Sequence, residues 1–238
     1  MGVFAAIIVF ALWGGHLAYC LLAVDFRFDS SHSYLHLLLQ AYLSTGLFIT
    51  AHDAMHGAVN RNHRLNRAIG TVAALLFAAF SYKKLFRNHM KHHRYSGQER
   101  DPDFLASSQN FFLWFGVFFY RYASIGQIII MAVLFNLLNL ILPTDRVVAF
   151  WMIPPFISTL QLFFFGTYRP HRLPHTDEMG PHHARSQKLN PLFALLSCYN
   201  FGYHLEHHEA PGVPWWRLGR VKAGLRRASL RRGSRTLD

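Results

Sequence analysis

Four long apolar segments limit what this chain can fold into. A helix needs about 20 mainly apolar residues to cross the hydrocarbon core of a membrane. Each segment reaches or nearly reaches that length, and 52% of the 238 residues are hydrophobic. The sequence therefore predicts an all-α integral membrane protein with four transmembrane helices. These cover approximately Val3–Val24, Tyr34–Ala51, Ile125–Leu142 and Val147–Tyr168.

Two further apolar segments are too short to cross a membrane. The first, Ala68–Phe80, is predicted to form a short re-entrant or interfacial helix that leaves and returns on one side. The second, Phe111–Tyr120, is rich in phenylalanine and is predicted to lie along the membrane surface before the third span.

The basic residues predict the orientation of the chain. Of the 24 Lys and Arg residues, only Arg27 and Arg146 lie in the two short loops on one side of the predicted spans. By the positive-inside rule, the other side and both termini face the cytoplasm, and the protein lies in the inner membrane. No nucleic-acid-binding motif accompanies the basic residues, so nucleic acid is not an expected partner.

The chain is long enough for one membrane domain, which we assign to residues 1–216. Residues 217–238 are basic and are predicted to form a flexible tail that contacts anionic lipid. The two cysteines, Cys20 and Cys198, give no disulfide framework.

Histidines carry the strongest indication of function. Eight of the 16 fall into three groups, and residues three or four apart on a helix share one face. Neutral imidazole is the commonest protein ligand of transition metals. All three groups fall on the predicted cytoplasmic side, where they would form a cap over the spans. They are His52 and His56; His89, His92 and His93; and His204, His207 and His208.

Eight imidazoles exceed what one ion holds, so the sequence predicts two metal ions. No cysteine accompanies the groups, which excludes iron–sulfur and thiolate zinc sites. No group reads His-Glu-x-x-His, which excludes the zinc protease motif. Zinc remains an option for one ion, but a pair of redox ions, iron above all, matches an all-nitrogen ligand set best.

Other histidines differ in what their positions predict. His171 lies just beyond the fourth span and is predicted to be a ninth ligand, whereas His175 follows Pro174 and points less predictably. His16 and His36 lie in or beside spans, where an interhelical hydrogen bond is the expected role.

Carboxylates near the histidine groups are candidates to accept the outward ring N–H of a metal-binding histidine. Such bonds fix the ring orientation and the tautomer of the ligand. The candidates are Asp53, Asp101, Asp103 and Glu206.

These motifs resemble those of the membrane fatty-acid desaturase and hydroxylase superfamily, and within it most closely the beta-carotene ketolases. The resemblance extends from Gly46 to Leu218 and rests on "GLFITAHDAMHG", "NHMKHHRYSG", "DPDF", "FGTYRPHR" and "FGYHLEHHEAPGVPWWRL". It implies a desaturase-like domain in which the eight grouped histidines are the iron-binding boxes and His171 is the additional ligand.

The resemblance also implies an activity. Such enzymes use two irons, O2 and electrons from a ferredoxin-type donor, which is an acidic protein. Two successive hydroxylations at C4 of the β-ionone ring of a carotenoid, followed by loss of water, would give a ketone. The substrate dissolves only in the bilayer, and Tyr168, one turn before His171, is the candidate substrate contact.

Three alternatives remain open at this point. Two belong to the same superfamily: a fatty-acyl desaturase or hydroxylase, and a carotenoid 3-hydroxylase. The third is a histidine-rich membrane metal transporter. Transporters place their ligands near the bilayer midplane, whereas these groups lie at or beyond the ends of the spans.

Overall fold

The computed structural model describes residues 1–235, with side chains up to Arg227. Within that range the chain forms helices and no β-strand, which confirms the all-α prediction. The helices are α1 (Gly2–Ala23), α2 (Ser31–Met55), α3 (His63–Ala78), α4 (Tyr82–Tyr95), α5 (Phe111–Tyr122), α6 (Ile125–Asn139), α7 (Thr144–His171), α8 (Pro191–Cys198), α9 (His204–Glu209) and α10 (Leu218–Arg235).

Three helices are long and apolar enough to cross a membrane, namely α1, α2 and α7. They correspond to the first, second and fourth predicted spans. Two pairs of helices pass the same test only when taken together, and each pair is sharply bent. The described chain therefore has three candidate spans, or up to five if each bent pair counts as one span.

The third predicted span, Ile125–Leu142, is not confirmed as a span by itself. Its helix α6 stops at Asn139 after 15 residues, a rise of about 22 Å, which is less than the hydrocarbon core of about 30 Å. Leu140 and Ile141 close a tighter turn onto Leu137 and Leu138, and Pro143 follows. The apolar pattern continues past this point, but the α-helix does not.

The two short apolar segments form the bent pairs. Helix α3 begins at His63, with the Asn62 side chain accepting hydrogen bonds at its N-terminus, and ends at Ala78, which is followed by Ala79 with a φ of 54°. The chain then turns by 102° into α4. Helix α5 meets α6 at 86°. Each bent pair is therefore either one broken membrane span or a re-entrant loop.

Helix α2 is the centre of the bundle. It packs against α1, α3 and α7, and 61% of its apolar stretch is buried, against 28% for α1. Buried hydroxyl groups link it to its neighbours: Thr45 Oγ1 lies 2.8 Å from Ser158 Oγ on α7, and Trp13 Nε1 on α1 donates to Ser44 Oγ at 3.2 Å. Such bonds connect helices that lipid alone would not hold together.

The two short loops predicted to share one side meet at one end of the bundle. Arg146, at the start of α7, donates to the carbonyl oxygens of Leu21 and Leu22 and pairs with Asp25. The loop after α1 and the loop before α7 therefore lie together. The C-terminal ends of α2 and α7 point towards the opposite end.

The predicted flexible tail is helical in the described residues. Helix α10 covers Leu218–Arg235, and Leu218 is buried against Tyr203 and Ala194. Residues 236–238 of the predicted tail lie outside the described range.

Gly46 sets the distance between α2 and its neighbours. A Cβ at this position would lie 2.7 Å from the Tyr199 hydroxyl and 3.2 Å from Val9 Cγ1. We therefore expect Gly46→Leu to lower the free energy of unfolding by about 1–3 kcal/mol, the usual cost of overpacking. Thermal unfolding of the detergent-purified protein, followed by circular dichroism, measures the effect.

The matched control is Gly15→Leu on α1, where a Cβ has no atom within 4 Å. It should unfold at nearly the temperature of the unsubstituted protein. Equal losses of stability in the two variants would contradict the close packing of α2.

Candidate metal centre

Eight of the nine histidines predicted as ligands converge at one end of the bundle in two sets of four. Within each set, one ring nitrogen from every histidine lies within 4.8 Å of the other three. The sets adjoin, since the His89 and His92 ring centres, one from each set, are 6.0 Å apart. The first set is His52, His56, His89 and His207, and the second is His92, His171, His204 and His208.

Two short helices supply ligands to both sets. Helix α4 gives His89 to the first set and His92 to the second. Helix α9 gives His207 to the first set and His204 to the second. Helix α2 serves only the first set and α7 only the second. The two sets are therefore held by one scaffold, and neither forms without α4 and α9.

The remaining predicted ligand, His93, lies between the sets. Its Nε2 is 3.1 Å from His89 Nε2 and 2.9 Å from His207 Nε2, both in the first set. Its ring centre is 4.4 Å from that of His208 in the second set. His93 thus adjoins both sets without belonging to either group of four.

A change of helical pitch precedes His171. Residues Phe164–Tyr168 form a π-helical turn inside α7, a feature that inserts a residue and redirects the side chains that follow. His171 Nδ1 lies 3.0 Å from the carbonyl oxygen of His183, to which it donates when protonated. Nε2 then points into the second set.

His175 lies outside both sets. Its Nε2 lies 3.0 Å from the carbonyl oxygen of His171, and its ring stacks on that of His183 with ring centres 4.4 Å apart. It packs beside the centre and has no nitrogen within it. His175 was expected to point less predictably than His171, and it contributes no nitrogen to either set.

One of the four candidate carboxylates accepts an imidazole N–H. Both oxygens of Asp101 lie 3.0 Å from His92 Nδ1, and they also accept from the backbone N–H groups of Gly97 and Asp103. This bond leaves His92 Nε2 directed into the second set. Asp103 lies 3.7 Å from the same nitrogen and accepts a hydrogen bond from the Tyr122 hydroxyl.

The other two candidates do not orient a ring. Asp53 accepts from the backbone N–H of Trp215 at 3.1 Å, and its distance of 3.6 Å to His52 Nδ1 is too long for a hydrogen bond. Glu206, on α9 between His204 and His207, makes no hydrogen bond to an imidazole among the described residues. Its Oε2 is buried without a hydrogen-bond partner among the described residues.

The imidazoles of α9 are held in the form that binds metals. Burial lowers the pKa of His204, His207 and His208 well below the ordinary value of histidine, and the neighbouring imidazoles lower it further. These rings are therefore neutral near pH 7, with a nitrogen lone pair free to coordinate.

The site fits metal ions. Among the described residues, His52 Nε2 and His171 Nε2 are buried without a hydrogen-bond partner, one in each set. A buried polar atom without a partner is costly, and a coordinated ion removes that cost. Two compact sets of imidazoles, each with such an atom, suit two transition-metal ions.

An apolar cavity reaches the histidines from inside the bundle. His52 and His89 of the first set and His92 and His204 of the second line it. Most of its other lining residues are aromatic or aliphatic and come from α2, α3, α4, α5, α7 and the loops after α3 and α8, and the Asp103 carboxylate also lines it. These lining residues include Phe48, Phe77, Phe80, Phe118, Phe119, Tyr122, Thr159, Leu162, Thr167 and Phe201.

Tyr168, the predicted substrate contact, does not line this cavity. It packs in an aromatic cluster on the other side of α7, with ring centres 5.0 Å from Phe111 and 5.5 Å from Trp114. The π-helical turn brings Gly166 and Thr167 to the cavity instead. Phe201, which sequence analysis also missed, lies edge-on to His52 and His204, one from each set.

Comparison with known proteins identifies the class to which this fold and site belong. The model of a family described as fatty acid desaturase matches residues 29–139 and 121–236, which include all nine histidines. The chain belongs to this family, and within it to the beta-carotene ketolases.

The curated relatives support the narrower grouping. The chain is 44% identical over 185 residues to a beta-carotene ketolase of a Paracoccus species (strain PC1), covering 76% of this chain and 75% of the relative. It is 41% identical to a zeaxanthin 4-ketolase of Chlamydomonas reinhardtii, covering 81% of this chain and 44% of the relative. A sphingolipid delta(4)-desaturase of Schizosaccharomyces pombe is more distant, at 24% identity.

The different placements of His171 and His175 allow a direct test of whether His171 is a metal ligand. We expect His171→Ala to lower the bound metal by about one ion per chain, because it removes one of four nitrogens from the second set. His175→Ala is the control, since this ring lies outside both sets. Elemental analysis of the purified variants measures the difference. Equal metal contents in the two variants would rule out His171 as a ligand.

Proposed function

We propose that this chain is a membrane di-iron oxygenase that introduces a keto group at C4 of the β-ionone ring of carotenoids. The two sets of histidines that share one apolar cavity support the oxygenase. The identity of 44% with a beta-carotene ketolase over most of both chains supports the substrate class.

We assign the metal ligands residue by residue. His52, His56, His89 and His207 would hold one iron, and His92, His171, His204 and His208 the other, with His93 beside both. Iron bound there would supply the activation of O2. Asp101 would hold His92 in the tautomer that presents Nε2, and the His183 carbonyl would do the same for His171.

The cavity would place the ring to be oxidised. Apolar walls favour a hydrocarbon ring and exclude water, which protects a strong oxidant from side reactions. Because His52 and His204 line the same cavity, a ring inserted there would present one carbon to both sets. Phe201 between those two histidines would limit how deeply the ring enters.

The chemistry balances as two hydroxylations and a dehydration. In each hydroxylation one oxygen atom of O2 enters a C–H bond at C4, and two electrons and two protons reduce the other atom to water. Two hydroxyl groups on one carbon form a geminal diol, which loses water to give the ketone. The chain itself supplies none of these reducing electrons, so an external donor must provide two for each hydroxylation.

A ferredoxin-type donor is the proposed source of these electrons. Helix α4 carries histidines on its inner face and a row of exposed basic residues on its outer face. An acidic donor docked on this row would lie one helix away from both sets, and charge complementarity would speed its association. The row consists of Lys83, Arg87, Lys91 and Arg94.

The same proposal fixes the setting of the enzyme. The metal end of the bundle and both termini would face the cytoplasm, with the protein in the inner membrane and the carotenoid supplied from the bilayer. Residues 1–216 would form the membrane domain, and the basic segment 217–238 would contact anionic lipid.

Pigment analysis tests the proposed activity. We expect cells that accumulate beta-carotene to form its mono- and diketone derivatives when they express this chain, detected by chromatography and mass spectrometry. The His207→Ala variant, which lacks a nitrogen of the first set, should form none. Hydroxylated pigment without ketone would indicate a 3-hydroxylase. Unchanged pigment with altered acyl chains would indicate a desaturase, and metal flux without product would indicate a transporter.

Filling the cavity should stop the reaction without removing the metal. Thr159 lines the cavity, so Thr159→Phe should push the ring away from the histidines and lower ketone formation about 100-fold, as expected for a misplaced substrate. Ile153→Phe on the same helix, at a position that is 37% exposed, is the control. Unchanged ketone formation in Thr159→Phe would show that the substrate binds elsewhere.

A further inference from the structure

A second group of metal-binding side chains lies at the opposite end of the bundle. It joins His16 and Cys20 of α1 to His36 of α2. His36 and His52 are 16 residues apart on α2, about 24 Å along the helix, so this group has no part in the histidine centre. The sequence predicts hydrogen bonds between the helices for His16 and His36. Such bonds do not explain why the Cys20 thiol lies beside the same two rings.

The ligand atoms of this group are already close together. His16 Nε2 lies 3.0 Å from His36 Nδ1 and 3.6 Å from the sulfur of Cys20. Nitrogen and sulfur ligands of a tetrahedral zinc ion at normal bond lengths are separated by roughly 3.3–3.8 Å. The group therefore needs only small side-chain shifts to enclose an ion.

A buried amide orients the central ring. Gln40 is 1% exposed, and its Oε1 lies 2.6 Å from His16 Nδ1. The Nε2 of Gln40 donates to the carbonyl oxygen of Trp13, which leaves Oε1 as the acceptor. His16 is thus protonated on Nδ1 and presents the lone pair of Nε2 to Cys20 and His36. Metal-binding histidines are held in this way by a second hydrogen bond.

The group is also accessible. Cys20 is fully buried, but His16 and His36 are only half-buried. The exposed His32 has its Nε2 3.2 Å from His36 Nε2 and leads from the group towards the loop between α1 and α2. An ion could reach the thiol along this row of imidazoles.

We propose that His16, Cys20 and His36 bind one zinc-class transition-metal ion, which fastens α1 to α2. A thiolate with two imidazoles favours ions of this class over calcium or magnesium. Binding replaces the thiol proton of Cys20, which is released to solvent, so affinity rises with pH. The bound ion would link the peripheral α1 to the central α2 at the end that the histidine centre leaves without a metal.

Cobalt(II) reports on this site alone. When cobalt(II) is added to the full-length, iron-loaded protein in detergent, a thiolate ligand produces a charge-transfer band in the near ultraviolet. The histidine centre has no cysteine and gives no such band. We expect the band to saturate with about one equivalent and to disappear in Cys20→Ser. Cys198→Ser is the matched control, because Cys198 is buried among Leu47, Tyr199 and other core side chains.

One further variant keeps the test decisive if Cys20→Ser folds poorly. His36→Ala should weaken cobalt binding about tenfold or more while the iron content stays unchanged. Absence of the band from the iron-loaded protein, its persistence in Cys20→Ser, or its loss in Cys198→Ser would each overturn the proposal.

Discussion

Nine imidazoles packed together inside an apolar bundle need partners for their nitrogen lone pairs. Hydrogen bonds between rings satisfy some of them, as between His92 and His208, but His52 Nε2 and His171 Nε2 are buried with none among the described residues. Protonating His52 or His171 is no remedy, because charge on either ring repels its neighbours and burial disfavours it. Coordinated ions meet this need, and the rest of the structure follows from the requirement to hold the rings around them.

The bundle meets that requirement by keeping α2 at its centre. This helix carries His52 in its last turn and ends just before His56, and its close contacts with α1, α3 and α7 fix the height of those rings. The bend of 102° between α3 and α4 then brings the second histidine group back across the end of α2. Helix α9 closes the site from the opposite side. The ligands thus reach the centre from four different parts of the chain, at α2, α4, α7 and α9.

Spacing along the sequence predicted the ligand groups but not how they divide. His204, His207 and His208 share one short helix, but His207 lies beside His52 and His56 of the first set, whereas His204 and His208 lie beside His171 of the second. His171 was predictable from its position after the last span. Asp101 was predictable only as one of four candidates, because the choice depends on where His92 Nδ1 points.

Other features had no local signal in the sequence. The cavity combines residues from Phe48 to Phe201 that only the fold brings together. Tyr168 was misplaced because a regular helix puts it one turn before His171, on the same side, whereas the π-helical turn rotates it into the aromatic cluster around Trp114. The third span was overestimated because apolar composition continues through Leu142 while the helix ends earlier.

X-ray absorption spectroscopy at the iron K-edge tests the central claim most directly. The iron-loaded protein should show nitrogen and oxygen neighbours, strong imidazole scattering from both irons, and no sulfur. Sulfur neighbours, or imidazole scattering too weak for about four rings per iron, would contradict a centre in which two irons share these histidines.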